Sequence, residues 1–232
     1  MRAKKLSPQN ELRRDIRLLT TMLGEVIREQ EGQKFFDVVE DIRVRAKKFR
    51  ETHDFRHLEH QRRVVKRLKT KDAYNLARAF TIYFQLVNLC EEAHRARRIR
   101  FYGKDRASLH EGSLGKLFRD LRLKRVSSER VLKFFGQMQV EPVLTAHPTE
   151  AKRRTIVELL FHITAVLERG NASDVMPMER ETFLSEIRRS LEILWQSSEV
   201  RQRKPTVIDE VKKTLFFFRR TILDLVSQFN QK

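Results

Sequence analysis

The chain has 232 residues, 40% of them apolar, which is enough for a buried core and excludes a disordered tail. Its 49 Lys and Arg against 31 Asp and Glu give a formal charge of +18. The two signs are interspersed, as in Glu11-Leu-Arg-Arg-Asp15, which favours solvated helix faces over a basic surface for nucleic acid or an acidic partner.

Ser7-Pro8 reads as an N-cap followed by proline at the first helical position. Behind it Leu12, Ile16, Leu19, Leu23, Val26 and Ile27 recur at helical spacing, and Gly32 breaks the run. A second helix is expected from Phe35 to about Arg50, carrying Phe36, Val39, Ile42 and Phe49. A third, polar helix falls near 54–69. Asp72 is placed to cap a fourth and longer one, with Leu76, Phe80, Tyr83, Val87 and Cys90 in its stripe. The single cysteine, Cys90, excludes an internal disulfide, is compatible with a reducing cytoplasm, and reads on that stripe as packing rather than a nucleophile.

Tyr102 to Ser113 is the expected loop, and two short helices follow over Leu114–Leu123 and Ser128–Phe135, the second ended by Gly136. Val140 and Pro142–Ala146 break the helical period and read as one extended, buried strand near 140–146. A helix then opens on Thr149, with Ile156, Leu159, Leu160, Ile163 and Val166 inward. Gly170 to Asp174 is a loop, and Pro177 opens a helix with Leu184, Ile187, Leu191, Leu194 and Trp195 inward, interrupted by Lys204-Pro205. Val211, Leu215, Phe218, Ile222, Leu225 and Phe229 form a stripe that reads as a core helix rather than a coiled-coil arm. No apolar run approaches a membrane span, and the N-terminus lacks a signal-peptide stretch. The lone strand matters most, because its N–H and C=O groups need partners that this chain does not offer. It is expected to belong to a sheet or barrel completed elsewhere, which makes the chain a fragment.

His147 is the leading candidate for chemistry. It ends the strand, stands before Pro148, and is followed by Lys152, Arg153 and Arg154. An imidazole beside a helix N-terminus and clustered cations suits a multiply charged anion. The competing readings are a satisfied core histidine and a solvated cationic face. His53, His57 and His60 have i, i+4, i+7 spacing, yet Arg56, Arg62 and Arg63 disfavour a cation, so no metal site is assigned. Gly112-Ser-Leu-Gly-Lys116 hints at a phosphate loop but lacks its first glycine and its Ser/Thr. His94 and His110 have no evident partner, and Arg95, Arg97, Arg98 and Arg100 suit the negative pole of the fourth helix.

Val143-Leu-Thr-Ala-His-Pro-Thr-Glu-Ala-Lys-Arg-Arg-Thr155 resembles the T-A-H-P-T-[EQ]-x-x-R-R signature of phosphoenolpyruvate carboxylase. Leu18 to Gly32, with Leu23-Gly-Glu-Val-Ile-Arg-Glu-Gln-Glu-Gly32, is similar to that family's N-terminal helix. Phe80 to Arg98, with Tyr83-Phe-Gln-Leu-Val-Asn-Leu-Cys-Glu-Glu-Ala93, is similar to its long helix before the signature. Trp195 to Glu210, with Ser198-Glu-Val-Arg-Gln-Arg-Lys-Pro-Thr-Val-Ile-Asp-Glu210, resembles a later T-D-E-I-R-R-x-x-P-T-x-x-D-E stretch, with Ser197-Ser198 for Thr-Asp and Val207-Ile208 for a more polar pair.

The resemblance implies a mainly α chain, the helix-rich N-terminal part of a (β/α)8 barrel. It divides as a helical region over 1–136 and the start of an incomplete catalytic barrel over 137–232. The implied enzyme is a cytoplasmic, allosteric homotetramer that feeds the tricarboxylic acid cycle. It uses Mg2+ or Mn2+ and joins phosphoenolpyruvate to bicarbonate, giving oxaloacetate and phosphate. His147 takes the role of base and anion stabiliser at carboxyphosphate. Arg153, Arg154 and Arg201 take the place of an allosteric sugar-phosphate site. The metal ligands and phosphate-binding arginines of that family lie downstream of this segment, so the chain is expected to be inactive alone.

Overall fold

The computed structural model describes residues 8–103, 111–139, 141, 153–171, 175–198 and 206–230, and all regular structure among these is helical. Apart from Glu141, the expected strand near 140–146 and its histidine lie outside the described residues. Contacts divide the chain into two units, residues 1–147 and 148–232.

The first unit is built on α1 (Pro8–Glu31), α2 (Gln33–Thr52), α3 (Phe55–Arg67) and α4 (Thr70–Gly103). Helix α4 has 34 residues, a rod about 50 Å long. Helix α1 packs along α4 and α2, and α3 packs on α2. Leu19, Leu23, Val26 and Ile27 of α1 are buried, as are Leu76, Ala79, Ile82, Leu86, Leu89, Cys90 and Ala93 of α4. The α4 stripe differs from the expected one. Leu76 and Cys90 are inward, but Phe80, Tyr83 and Val87 are only half-buried. Small Ala79 and Ala93 with branched Ile82 and Leu86 let α1 approach closely, and the bulkier rings turn to the flank.

Gly32 separates α1 from α2 at φ 86°, a conformation that glycine adopts without a Cβ clash. The same corner needs Gly24, where a Cβ would stand 3.0 Å from the Phe36 ring. At the next corner His53 closes α2 in the left-handed region, and the Asp54 side chain accepts from the Arg56 N–H to start α3. Helix α4 starts at Thr70, so Asp72 lies in its first turn rather than at its cap, and it runs on to Gly103 into the expected loop. Helices α5 (Leu114–Leu123) and α6 (Ser128–Gln137) are capped by Ser113 and Ser127. Phe118 and Phe135 meet at 5.8 Å between ring centres. Helix α6 continues through Gly136 and ends at Gln137.

The second unit contains α7 (Arg154–Gly170) packed on α8 (Pro177–Gln196), with Ile156, Ile163, Val166 and Leu167 buried on α7 and Ile187, Leu191, Leu194 and Trp195 on α8. A third rod comprises α9 (Val207–Phe217), a π-helical turn (Phe218–Ile222) and α10 (Leu223–Asn230). It opens with a reciprocal cap between Thr206 and Asp209. Two expectations are corrected here. Residue 153 is extended, so α7 opens on Arg154 and is not continuous from Thr149. The final stripe is largely uncovered in this chain: among its described side chains Val211, Leu215 and Leu225 are each about half exposed or more, and Phe218 and Ile222 are partly covered.

The α1–α4 seam also buries charge. Asp15 is fully buried and receives the Arg97 Nη2 at 2.6 Å, with Arg14 at 3.1 Å from its other oxygen. One turn back along α4, His94 is 8% exposed and its Nδ1 has no hydrogen-bond partner. Burial lowers the His94 pKa, and the positive charges of Arg97 and Arg98 lower it further against the opposing pull of Glu11 and Asp15. Burial likewise pushes the Cys90 thiol up to about 12, with Asp15 adding to the effect.

Two outcomes follow from this seam. Arg97→Met is expected to cost about 3 kcal/mol, because it leaves a desolvated carboxylate with only the half-exposed Arg14 for a cation, and an Asp15→Leu/Arg97→Met double variant should recover most of that loss. Urea denaturation followed by circular dichroism checks it, and a single-variant cost under about 1 kcal/mol would count against it. His94 is neutral in the fold and must bind a proton to match the unfolded chain in acid. Its contribution is therefore complete above the ordinary histidine pKa of 6.5 and declines as pH falls below that value toward the lowered folded one. His94→Gln should flatten that decline in the same melts, whereas an unchanged slope would place it elsewhere.

Candidate functional site

Of the residues expected to carry chemistry, His147, Lys152 and Arg201 lie outside the described residues, while Arg153 and Arg154 stand at the start of α7. Arg153 occupies the N-cap position with extended backbone (φ −64°, ψ 144°) and gives no side-chain cap. The helix dipole favours an anion at this end.

Arg154 is held in two ways. Its Nε donates to Glu158 Oε1 at 2.8 Å, one turn along the same helix. Its guanidinium carbon lies 4.5 Å from the centre of the Phe216 ring of α9. This geometry orients the planar fork on an aromatic face, where cation–π attraction contributes about 0.5–1 kcal/mol at an exposed site. The side chain remains 68% exposed, so the free edge of the fork is open to a ligand. Ile156, 1% exposed, anchors this first turn in the core shared with α8. Farther along α7, Arg169 pairs with Glu186 of α8 at 3.0 Å and lies over Phe183 at 5.1 Å. That second arginine serves packing between the helices.

The other candidates resolve into structural roles. His53 closes α2 while His57 and His60 lie on α3, so the three do not share one helix face. His60 Nε2 meets Asp41 Oδ2 at 2.8 Å and ties α3 to α2. Burial pushes the Asp41 carboxyl up, but hydrogen bonds from Arg45 and His60 together hold it below its ordinary value. Among the described residues no group of His, Cys, Asp and Glu is arranged to hold a metal ion. Gly112-Ser-Leu-Gly-Lys116 is the start of α5, with Gly112 at φ 80° and the Ser113 hydroxyl accepting from the Lys116 N–H. In the arginine run at the end of α4, Arg97 turns inward to Asp15 rather than to the helix pole. The place of each residue on a buried stripe was legible in the sequence, though not its partner. Asp15 lies four residues before Leu19 on the buried stripe of α1, and Arg97 four after Ala93 on that of α4.

The family pattern of phosphoenolpyruvate carboxylase matches residues 12–232. A protein of Nitrosomonas eutropha named phosphoenolpyruvate carboxylase is 33% identical over 218 residues, covering 94% of this chain and 23% of the relative. A Burkholderia vietnamiensis protein of the same name is 35% identical over 211 residues, covering 90% of this chain and 21% of the relative. A Rhodopseudomonas palustris one is 32% identical over 221 residues, 95% of this chain and 24% of the relative. The chain belongs to the phosphoenolpyruvate carboxylase family. It spans about a quarter of the length of these relatives. No helix among the described residues is long and apolar enough to cross a membrane.

Proposed function

We propose that the chain is an N-terminal portion of a phosphoenolpyruvate carboxylase. The intact enzyme joins phosphoenolpyruvate and bicarbonate to give oxaloacetate and phosphate. The observation that carries this reading is the family match over residues 12–232, which includes the whole stretch Val143 to Thr155 with its single histidine. On this reading residues 1–136 form a helical region, and 137–232 begin a (β/α)8 barrel whose first strand lies near 140–146. The active enzyme is a cytoplasmic homotetramer.

The chemistry assigned to His147 follows from its imidazole. Bicarbonate attacks the phosphorus of phosphoenolpyruvate, the bridging P–O bond breaks, and carboxyphosphate and an enolate form. His147 then accepts the carboxyl proton of carboxyphosphate, which collapses to CO2 and phosphate, and the enolate carbon captures CO2. A group that titrates near neutrality exchanges that proton at working pH and, once charged, offsets the negative charge growing on the departing phosphate. Mg2+ or Mn2+ in the intact enzyme supplies charge neutralisation at the enolate. No described residues of this chain form a donor set for it, and this reading places its ligands outside the 232 residues.

Arg153, Arg154 and Arg201 are assigned to an allosteric site for a sugar phosphate. The orientation of Arg154 on Phe216, with one edge of its fork open, supports that role. A dianionic phosphate there gains both charge and bidentate geometry.

In the intact enzyme His147→Ala is expected to lower carboxylation at least about 100-fold, the usual weight of a positioned acid–base group, and the 232-residue chain alone should form no oxaloacetate. A coupled assay of oxaloacetate decides both, and full activity in His147→Ala would remove the histidine from the mechanism. Calorimetry of glucose 6-phosphate against the chain should show saturable heat that Arg154→Ala abolishes, whereas equal heats from both proteins would remove Arg154 from the site.

A further inference from the structure

The first unit contains a cleft of about 640 Å3 between α1, α2 and α4, within the range of small-molecule sites. It is made of residues that hold none of the roles proposed above. It exists because α2 packs well on α1 but touches α4 only lightly, which leaves a wedge beside the seam. Its floor is apolar, with Ile16, Leu23, Ile27 and Val39. Three rings line its walls, Phe36 of α2 and Phe80 and Tyr83 of α4, each half-buried. These are the rings that the α1–α4 contact turns to the flank.

Charge on its rim is lopsided. Arg13, Arg17 and Arg28 of α1 line the cleft and are exposed, and their side chains form no hydrogen bond or ion pair with any described residue. Arg43 of α2 also lines it, but Glu40 holds it through two contacts at 2.8 and 2.9 Å. The carboxylates on this rim, Glu25 and Glu40, are both engaged. Arg13 and Arg17 stand four residues apart on one helix, so two guanidinium groups lie side by side at one end of an aromatic, apolar slot. Adjacent like charges on a helix face are destabilising, and an anion between them relieves that repulsion.

We propose that this cleft binds a small organic anion with a flat aromatic body. The body lies against Phe36, Phe80 and Tyr83, and its carboxylate or phosphate head is gripped by Arg13 and Arg17. Ring stacking selects the body, and the planar forks select the head over a neutral group.

The test is calorimetric titration of the chain with 2-naphthoate, 2-naphthyl phosphate and the neutral 2-naphthamide. Saturable one-to-one binding of at least one anion is expected, with the amide weaker by about tenfold or more. The stronger of the two anions identifies the head. An Arg13→Gln/Arg17→Gln variant should lose at least about tenfold in affinity, since it removes charge without disturbing any described pair. Thr21→Trp, at an exposed position lining the cleft, should block binding by filling it. Circular dichroism confirms that each variant keeps its helices. Absence of saturable binding by either anion overturns the proposal. So does affinity that neither Arg13→Gln/Arg17→Gln nor Thr21→Trp changes, which would put the ligand on the exposed apolar faces of α9 and α10.

Discussion

The contact between Asp15 and Arg97 governs how the two longest helices of the first unit meet. A carboxylate 1% exposed has given up its hydration, a loss worth several kcal/mol in a protein interior. Only a closely placed cation offsets it, and Arg97 does so at 2.6 Å across the seam. Apolar side chains slide past one another at little cost, but a desolvated ion pair does not. A one-turn slip of α1 along α4 would break the 2.6 Å contact across the seam, so this pair favours the register within which Leu19, Leu23 and Val26 find their neighbours. Burial in this seam pushes the Cys90 thiol up and the His94 ring down, with Asp15 adding to the first shift and Arg97 to the second.

That register has a second effect. It brings Ala79, Ile82 and Leu86 of α4 against α1 and turns Phe80 and Tyr83 aside. The rings therefore border an open wedge instead of filling the core. Helix α2, tied to α1 through Gly32 and the Gly24–Phe36 approach, supplies the opposite wall. Packing tight on one side and light on the other is what produces a cleft in so small a helical unit.

The second unit shows how one arginine differs from another. Arg154 and Arg169 both sit over phenylalanine rings and both pair with a glutamate. Arg169 is committed to the α7–α8 contact. Arg154 is positioned at the start of a helix, where the dipole favours an anion. Oriented but not consumed, it is the better ligand for a phosphate. The exposed Val207, Ile208, Val211 and Leu215 of α9 form an apolar face larger than a solvated helix ordinarily shows.

The sequence by itself determined the helices, because the apolar period of 3.6, serine caps at 113 and 127, Pro177 and Gly32 act within a few residues of chain. It also determined the family, because the run Val143 to Thr155 is contiguous and needs no folding to be read. Only the tertiary structure decided which of two possible faces of α4 is inward, that Asp15 and Arg97, 82 residues apart, form a buried pair, and that the last apolar stripe is largely exposed. Those outcomes depend on what stands opposite each helix. Periodicity reports that a face is apolar, whereas burial and charge pairing belong to two surfaces at once.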